Sequence, residues 1–263
     1  MWFDAMPLWF SAPLVILLPT LLAMWGTRFV RRRLGFEQLS ENNEVAGFKF
    51  ATVGVIYAVM LAFAVIVVWE RYSAAEDNVA TEAGAAASLY RLIQGVDNEP
   101  RVLIRRALNE YLESAIVDDW PAMDRGKASP ETTRSLANLY SAVLAYKPTE
   151  LHGAMLMEEI LNVLNHLTEA RRERVVKAAG AVPPVLWFVL FAGAFITVGF
   201  TFFFGNRNLN AQTLMTGALT LLVFSGLLVI VTIDQPFAGA VKVHPEALIE
   251  VLQELGGTSV TKH

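Results

Sequence analysis

The sequence predicts an all-α membrane protein with four transmembrane helices and a helical soluble module between the second and third. Four segments carry no charge, and they cover residues 8–25, 50–69, 182–204 and 214–233. At ~1.5 Å per residue each is long enough to cross the ~30 Å hydrocarbon core of a bilayer, and none has a polar face. The composition agrees, because 54% of the residues are hydrophobic, 17% are charged and the mean hydropathy is +0.43.

These segments divide the chain into five parts. We expect a first span with a basic link (1–49), a second span (50–69), a helical soluble module (70–181), the third and fourth spans (182–233), and a C-terminal tail (234–263). The first apolar segment has no positive region before it and no small-residue cleavage signature after it. It is therefore expected to be a retained span and not a signal peptide.

The module shows helical signals only. Residues 50–93 contain no proline, so the second span is expected to continue as one helix out of the membrane. A helix with one apolar face is expected over 101–117. Ser129 followed by Pro130 is typical of a helix start, and this helix should reach Tyr146. Thr149 is expected to cap a last helix that ends near Ala179.

The sequence offers little chemistry. There is no cysteine, and His152 and His166 lie ~21 Å apart if they share one helix, which is too far for a common metal ion. No nucleotide-binding or hydrolase motif is present. The net charge of −4 gives no basic surface for nucleic acid. We therefore predict no enzyme activity, no cofactor, no metal site and no nucleic-acid partner.

The spans favour a passive pore over a small-molecule transporter. They contain no Asp, Glu, Lys, Arg or His side chain, whereas coupled transport usually needs such a group inside the membrane. An apolar constriction can gate by dewetting, but four spans cannot easily enclose a pore, so a homo-oligomer is required. The second span is the best lining candidate, with Ala51, Val55 and Val59 on one stripe at a spacing of four residues. The alternative for this stripe is simple contact with lipid or another helix.

Several local motifs resemble those of bestrophin channels. The second span ends in Trp69-Glu70-Arg71-Tyr72, and Pro183-Pro184 precedes the third span. The fourth span is followed by Asp234-Gln235-Pro236-Phe237-Ala238-Gly239, which is similar to the Pro-Phe-Gly that follows the bestrophin fourth span. Together with residues 43–47 and 54–58, these motifs resemble the bestrophin-like domain family of bacterial membrane proteins, over about residues 43–255.

The resemblance implies a pentamer of four-span subunits in a bacterial inner membrane. It implies a passive channel for monovalent ions such as chloride, a cytoplasmic helical module, and an apolar pore neck that maps onto Ala51, Val55 and Val59. The expected partners are the lipid bilayer, other copies of the chain and these ions.

Two departures limit what the resemblance implies. An alanine is inserted before Gly239, and no acidic run follows it, so the Ca²⁺ clasp of calcium-activated bestrophins should be absent. The link is also unusually basic around Arg28–Arg33, and the cations close to the membrane number six on each side. The positive-inside rule therefore gives a tie for the orientation.

For a few single residues we expect a specific structural role. Trp69, Arg71 and Tyr72 should anchor the helix at the membrane surface, and a charge at the pore mouth is the alternative role for Arg71. Asp234 is expected to cap or pair at the exit of the fourth span, with Arg71 or Lys242 as candidate partners. A non-conducting scaffold or sensor, whose module binds a partner, remains the alternative function.

Overall fold

The computed structural model describes residues 8–41 and 43–256, and these residues form nine α-helices and no strand. The helices are α1 (Leu8–Glu41), α2 (Asn43–Leu92), α3 (Asn98–Ser114), α4 (Trp120–Met123), α5 (Pro130–Ala145), α6 (Leu151–Lys177), α7 (Pro184–Phe200), α8 (Leu209–Ile233) and α9 (Glu246–Glu254). Four of them, α1, α2, α7 and α8, are long and apolar enough to cross a membrane. The predicted all-α fold with four spans is confirmed.

Helices α1 and α8, like α2, are longer than their apolar segments. Helix α1 extends through the basic link to Glu41, but Gly35 is non-helical (φ 73°) and the kink there divides it into two helical stretches. Helix α8 begins at Leu209, because the Asn208 side chain accepts hydrogen bonds from the amides of Asn210 and Ala211. The link and the polar residues before the fourth span are therefore largely helical.

The chain divides into two compact units. The span unit contains described residues between 8 and 70 and residues 181–234, and the helical unit contains residues 71–180 and 235–256. Helix α2 contributes its first part to the span unit and its last part to the helical unit.

In the span unit, α1 packs along α8 and also contacts the turn that follows α7. The start of α2 is tied to that region by Asn43, whose side chain donates to the Gly205 carbonyl (2.7 Å) and accepts from the Gly205 amide (2.8 Å). A Cβ at Gly205 would lie 2.5 Å from the Ser40 amide nitrogen, so this close approach requires glycine.

The helical unit is built around a continuous apolar core. Leu89 of α2 and Ile93, which directly follows α2, meet Ile104, Leu108 and Leu112 of α3. All five are fully buried, and α5, α6 and α9 complete the core. Part of the predicted tail thus belongs to this core, through Leu248, Leu252 and Leu255.

The helix ends in this unit test two predictions. Ser129 caps α5 as predicted, since its hydroxyl accepts from the amides of Glu131 and Thr132. The prediction that Thr149 caps α6 is wrong. The residue before α6 is Glu150, which is extended and makes no capping hydrogen bond through its side chain.

Candidate pore surface and charged core

Within the span unit, one face of α2 is covered by other residues of that unit and another face is left exposed. Tyr57, Ala64 and Val68 point into the unit and are buried. Ala51, Val55 and Val59, which we call the neck stripe, lie on the opposite side and are exposed, Val55 at 64% and Val59 at 49%. The structure thus brings the three residues onto one surface that the rest of the unit leaves uncovered.

The neck stripe belongs to a wider apolar surface. Phe48 and Phe63 are exposed above and below it along α2. The Thr52 hydroxyl donates to the Phe48 carbonyl of its own helix, so it adds little polarity to the surface. Between Lys49 and Glu70 the helix has no ionisable acid or base other than Tyr57. A surface of this kind can contact lipid or a second copy of the helix, or it can line a narrow apolar passage.

The residues at the exit of the second span have separate environments. Trp69 is an exposed side chain of the span unit, as an anchor at the membrane surface would be. Arg71 belongs to the helical unit, where its guanidinium donates to the carbonyls of Val176 and Ala179, both at 3.1 Å. These carbonyls close the C-terminus of α6, so a cation there also offsets the negative end of the helix dipole. Tyr72 is half-buried and packs against the core of the same unit.

Asp234 closes the turn before the third span. Its Oδ1 accepts hydrogen bonds from the amides of Ala181 (2.9 Å) and Val182 (2.8 Å). The carbonyl of Asp234 also accepts from Ala181. The acidic residue therefore ties the end of α8 to the segment that leads into α7.

The rest of the tail motif packs into the helical unit. Phe237 is fully buried and meets the Trp120 ring edge-to-face at a centroid distance of 5.9 Å. The Val243 amide donates to the Pro236 carbonyl at 2.7 Å, and the Trp120 indole N–H donates to the Val243 carbonyl at 3.1 Å. Gly239 has φ 81°, a conformation that favours glycine. The motif is thus a docked turn that fixes residues 236–243 on Trp120.

A second feature of the helical unit is a cluster of four buried charges, Glu82, Asp119, Arg171 and Arg174, which we call the core charge cluster. Arg174 binds Glu82 through two hydrogen bonds of 2.6 and 3.0 Å and reaches Asp119 at 3.2 Å. Arg171 binds Asp119 through two hydrogen bonds of 2.8 and 3.1 Å. Two cations and two anions balance, so the cluster brings no net charge into the core.

Neighbouring groups complete the cluster. The Tyr111 hydroxyl donates to Glu82 at 2.6 Å, and the Arg174 guanidinium lies over the Trp120 ring at 4.6 Å. Burial and the Glu82 carboxylate raise the pKa of the Tyr111 hydroxyl well above its ordinary value. Burial alone would lower the pKa of Arg174, but the Glu82 carboxylate outweighs it and raises that pKa. Tyr111 therefore stays protonated and Arg174 stays charged at neutral pH.

The core charge cluster was not predicted from the sequence. One signal was available, because Glu82 occupies a position in the buried stripe of α2 that also contains Val79, Ala86 and Leu89. A charge in an apolar stripe needs a buried partner. In the described part of the chain, no group of three or more His, Cys, Asp or Glu residues could hold a metal ion.

Comparison with known proteins identifies the family. The sequence model of the Bestrophin-like domain family matches residues 15–248, and the chain belongs to that family. A search of curated proteins finds no match.

Solved structures share the fold. A bacterial bestrophin homologue from Klebsiella pneumoniae superposes with a TM-score of 0.71 at 15% identity, covering 92% of this chain and 99% of that one. A tryptophan-to-alanine variant of a homologue from the same organism gives 0.71 at 14% identity, with 91% and 95% covered. A structure described as a membrane protein variant gives 0.72 at 15%, with 92% and 99% covered. The chain is thus a membrane protein with the fold of these bestrophin homologues.

Proposed function

We propose that the chain is the subunit of an oligomeric, passive ion channel whose pore is lined by α2. The observation that carries the proposal is the neck stripe, an apolar surface on a charge-free span that the subunit itself leaves uncovered. Family membership and the shared fold support it, because bestrophins are ion channels. The expected assembly is a pentamer, with Ala51, Val55 and Val59 of each copy forming successive apolar rings.

The ions are expected to be monovalent, with chloride among them. An apolar ring selects weakly, since it offers no charged ligand to either sign of ion. Gating is expected to be independent of Ca²⁺, because residues 240–245 contain no acidic side chain to supply hard oxygen ligands. The expected location is a bacterial inner membrane, with the helical unit in the cytoplasm and Trp69, Arg71 and Tyr72 at the membrane surface.

The neck stripe can be tested by recording single channels of the purified full chain in planar bilayers with asymmetric KCl. Val59→Ala widens an apolar ring and lowers the cost of wetting it, so we expect open probability or conductance to rise roughly twofold or more. Val55→Asp should change the reversal potential towards cations, because it adds a ring of negative charge.

Val229→Ala is the matched control. Val229 lies on α8 and is 45% exposed, close to the 49% of Val59, so both variants remove the same atoms from similarly exposed positions. The control should leave the currents unchanged. Equal effects of Val59→Ala and Val229→Ala would contradict a pore on α2.

A non-conducting scaffold or sensor is the second candidate. Val102 and Leu103 on α3 and Leu151 on α6 are exposed apolar side chains of the helical unit, which a bound partner would cover. Silence from an oligomer that native mass spectrometry verifies as intact, over a range of voltage and pH, would favour this function over the channel.

A further inference from the structure

The turn between α7 and α8 forms a cavity together with the end of α1 and the start of α2. Its volume is about 600 Å³, within the ~300–1,000 Å³ typical of ligand sites. Asn43, Arg207 and Gln212 give it a polar lining at the helix ends, while Phe50, Met215 and Leu219 line it further along the spans. The cavity is therefore amphipathic along the direction in which α2 and α8 run.

Gln212 leaves a hydrogen-bond acceptor unused in this cavity. The side chain is 4% exposed, and its Nε2 donates to the Phe204 carbonyl. The Oε1 atom is buried and has no hydrogen-bond partner in the structure. A buried carbonyl oxygen without a donor is unfavourable, so this atom indicates a ligand that carries an N–H or O–H group.

Arg31 leaves a donor unused beside the same cavity. Its Nη2 donates to the Asn206 carbonyl at 3.1 Å, and its guanidinium lies over the Phe36 ring at 4.5 Å. Asn206 and Phe36 both line the cavity. The Nη1 atom of Arg31 is buried and unpartnered. One unpartnered acceptor thus belongs to a residue that lines the cavity, and one unpartnered donor belongs to a residue that contacts its lining.

The charge of this region favours an anion. Residues 28–49 and Arg207 include six cations and three carboxylates, the latter at Glu37, Glu41 and Glu44. Trp25 and Phe29 are exposed and stacked at 5.3 Å on α1, and Arg33 lies 5.4 Å from the Phe29 ring. Exposed aromatic rings followed by arginines are typical of the headgroup level of a membrane.

We propose that this cavity is a binding site for one phospholipid with an anionic, hydroxyl-bearing headgroup, of which phosphatidylglycerol is the simplest example. Arg31 and Arg207 hold the phosphate, because guanidinium groups form strong charge-assisted hydrogen bonds with it. A headgroup hydroxyl donates to Gln212 Oε1, and an acyl chain runs along Phe50, Met215 and Leu219. The site does not depend on whether the chain conducts ions.

The test uses native mass spectrometry of the purified full chain after delipidation and addition of phosphatidylglycerol or phosphatidylcholine. We expect about one phosphatidylglycerol retained per chain and roughly tenfold less phosphatidylcholine, which carries no net charge and no headgroup donor. Arg207→Gln should lower phosphatidylglycerol retention about fivefold to tenfold. Leu219→Trp should lower retention of both lipids, because the indole fills the apolar part of the cavity.

Arg106→Gln is the matched control, since Arg106 is an exposed arginine on α3 of the helical unit. It should retain the lipid as the unsubstituted chain does. Circular dichroism and size-exclusion chromatography of each variant verify that the fold is kept.

Three results would overturn the proposal. One is equal retention of the two lipids, and another is a loss in Arg207→Gln no larger than in Arg106→Gln. The third comes from thermal unfolding of the purified full chain. If soluble glycerol 3-phosphate raises the melting temperature as much as phosphatidylglycerol does, the cavity is a site for free anions.

Discussion

At the scale of single residues, Arg174 is a charged side chain that lies wholly inside the helical unit. Its charge is fully buried and fully paired, by Glu82 on α2 and by Asp119 in the π-helical turn Ala115–Asp119. A buried pair is worth little compared with an apolar pair of the same shape, but a buried charge left without its partner is very unfavourable. Loss of Arg174 would therefore leave the two carboxylates short of a counter-charge inside the core.

We expect Arg174→Met to lower the free energy of unfolding of the helical unit by ~3–5 kcal/mol, since Glu82 loses its counter-charge. Glu82→Met/Arg174→Met should recover at least about half of that loss, because it removes the pair together and leaves Arg171 with Asp119. Pulse proteolysis of the full chain in urea measures both variants.

Arg172→Met is the control for this experiment. Arg172 is exposed two positions before Arg174 and faces Glu169 at 3.7 Å, a surface pair worth at most ~0.5 kcal/mol. If Arg174→Met were no more destabilising than Arg172→Met, the core charge cluster would not have the role assigned to it.

A sequence pattern predicts the structural role of a residue well when that role depends on neighbouring positions in the chain. Ser129 and Pro130 identify the start of α5 because a cap depends on adjacent residues. Glu82 and Arg174 are 92 positions apart, so no local pattern connects them. The α6 start shows the same limit, since Thr149 has the right chemistry for a cap but the chain turns helical only after Glu150.

At the scale of elements, α2 is the longest helix of the described residues, and it contributes to both compact units. It runs unbroken over 50 residues, ~75 Å at 1.5 Å per residue. The absence of proline predicted this continuity. In α1 the apolar segment predicted the span but not the end of the helix, because loss of hydropathy at Gly26 does not end helical hydrogen bonding. The first helical stretch reaches the non-helical Gly35, and a second stretch continues to Glu41.

The docked turn after α8 gives a prediction at this scale. Gly239 has φ 81°, and a Cβ there would meet no atom within 4 Å, so Gly239→Ala tests backbone strain alone. We expect a loss of ~1–2 kcal/mol, the cost of a left-handed conformation with a side chain. Urea unfolding followed by circular dichroism measures it.

Gly84→Ala serves as the comparison variant. Gly84 also has open space around its Cβ position, but it lies inside helix α2. Alanine should stabilise that helix by ~0.5–1 kcal/mol. Opposite signs for the two variants are expected, and destabilisation by both would argue against strain at Gly239 as the cause.

At the scale of the whole molecule, the helical unit is assembled from two segments that are distant in sequence. Residues 235–256 contribute six buried apolar side chains to its core, namely Phe237, Val243, Leu248, Val251, Leu252 and Leu255. Arg105 of α3 also donates to the Leu255 carbonyl across 150 positions. Hydropathy identifies such residues as apolar but does not say which core they enter, which is why the sequence predicted only a tail.

A chain that ends at Asp234 should therefore fail to fold its helical unit. Burial of six side chains is worth on the order of 10 kcal/mol, comparable to the ~5–15 kcal/mol stability of a typical domain. Limited trypsin digestion of the truncated chain should yield no protected fragment over residues 71–180.

Two full-length variants separate loss of packing from loss of length. Leu248→Asp/Leu252→Asp should reproduce the loss of protection, because both side chains are buried in the core. Glu250→Gln/Glu254→Gln, on the exposed side of α9, should keep the protected fragment. Protection in the truncated chain would show that residues 71–180 fold alone.

Because the helical unit is built from two separate segments, its two parts are synthesised at different times. A ribosome completes residues 71–180 before it makes the two later spans and residues 235–256. At ~5–20 residues per second, several seconds pass between the synthesis of the first segment of this core and that of the second. During that interval residues 71–180 lack the six buried side chains of the later segment, so their apolar side chains stay exposed. The helical unit therefore completes folding only after the last span has been translated. Before then, chaperones that recognise apolar surface can bind it.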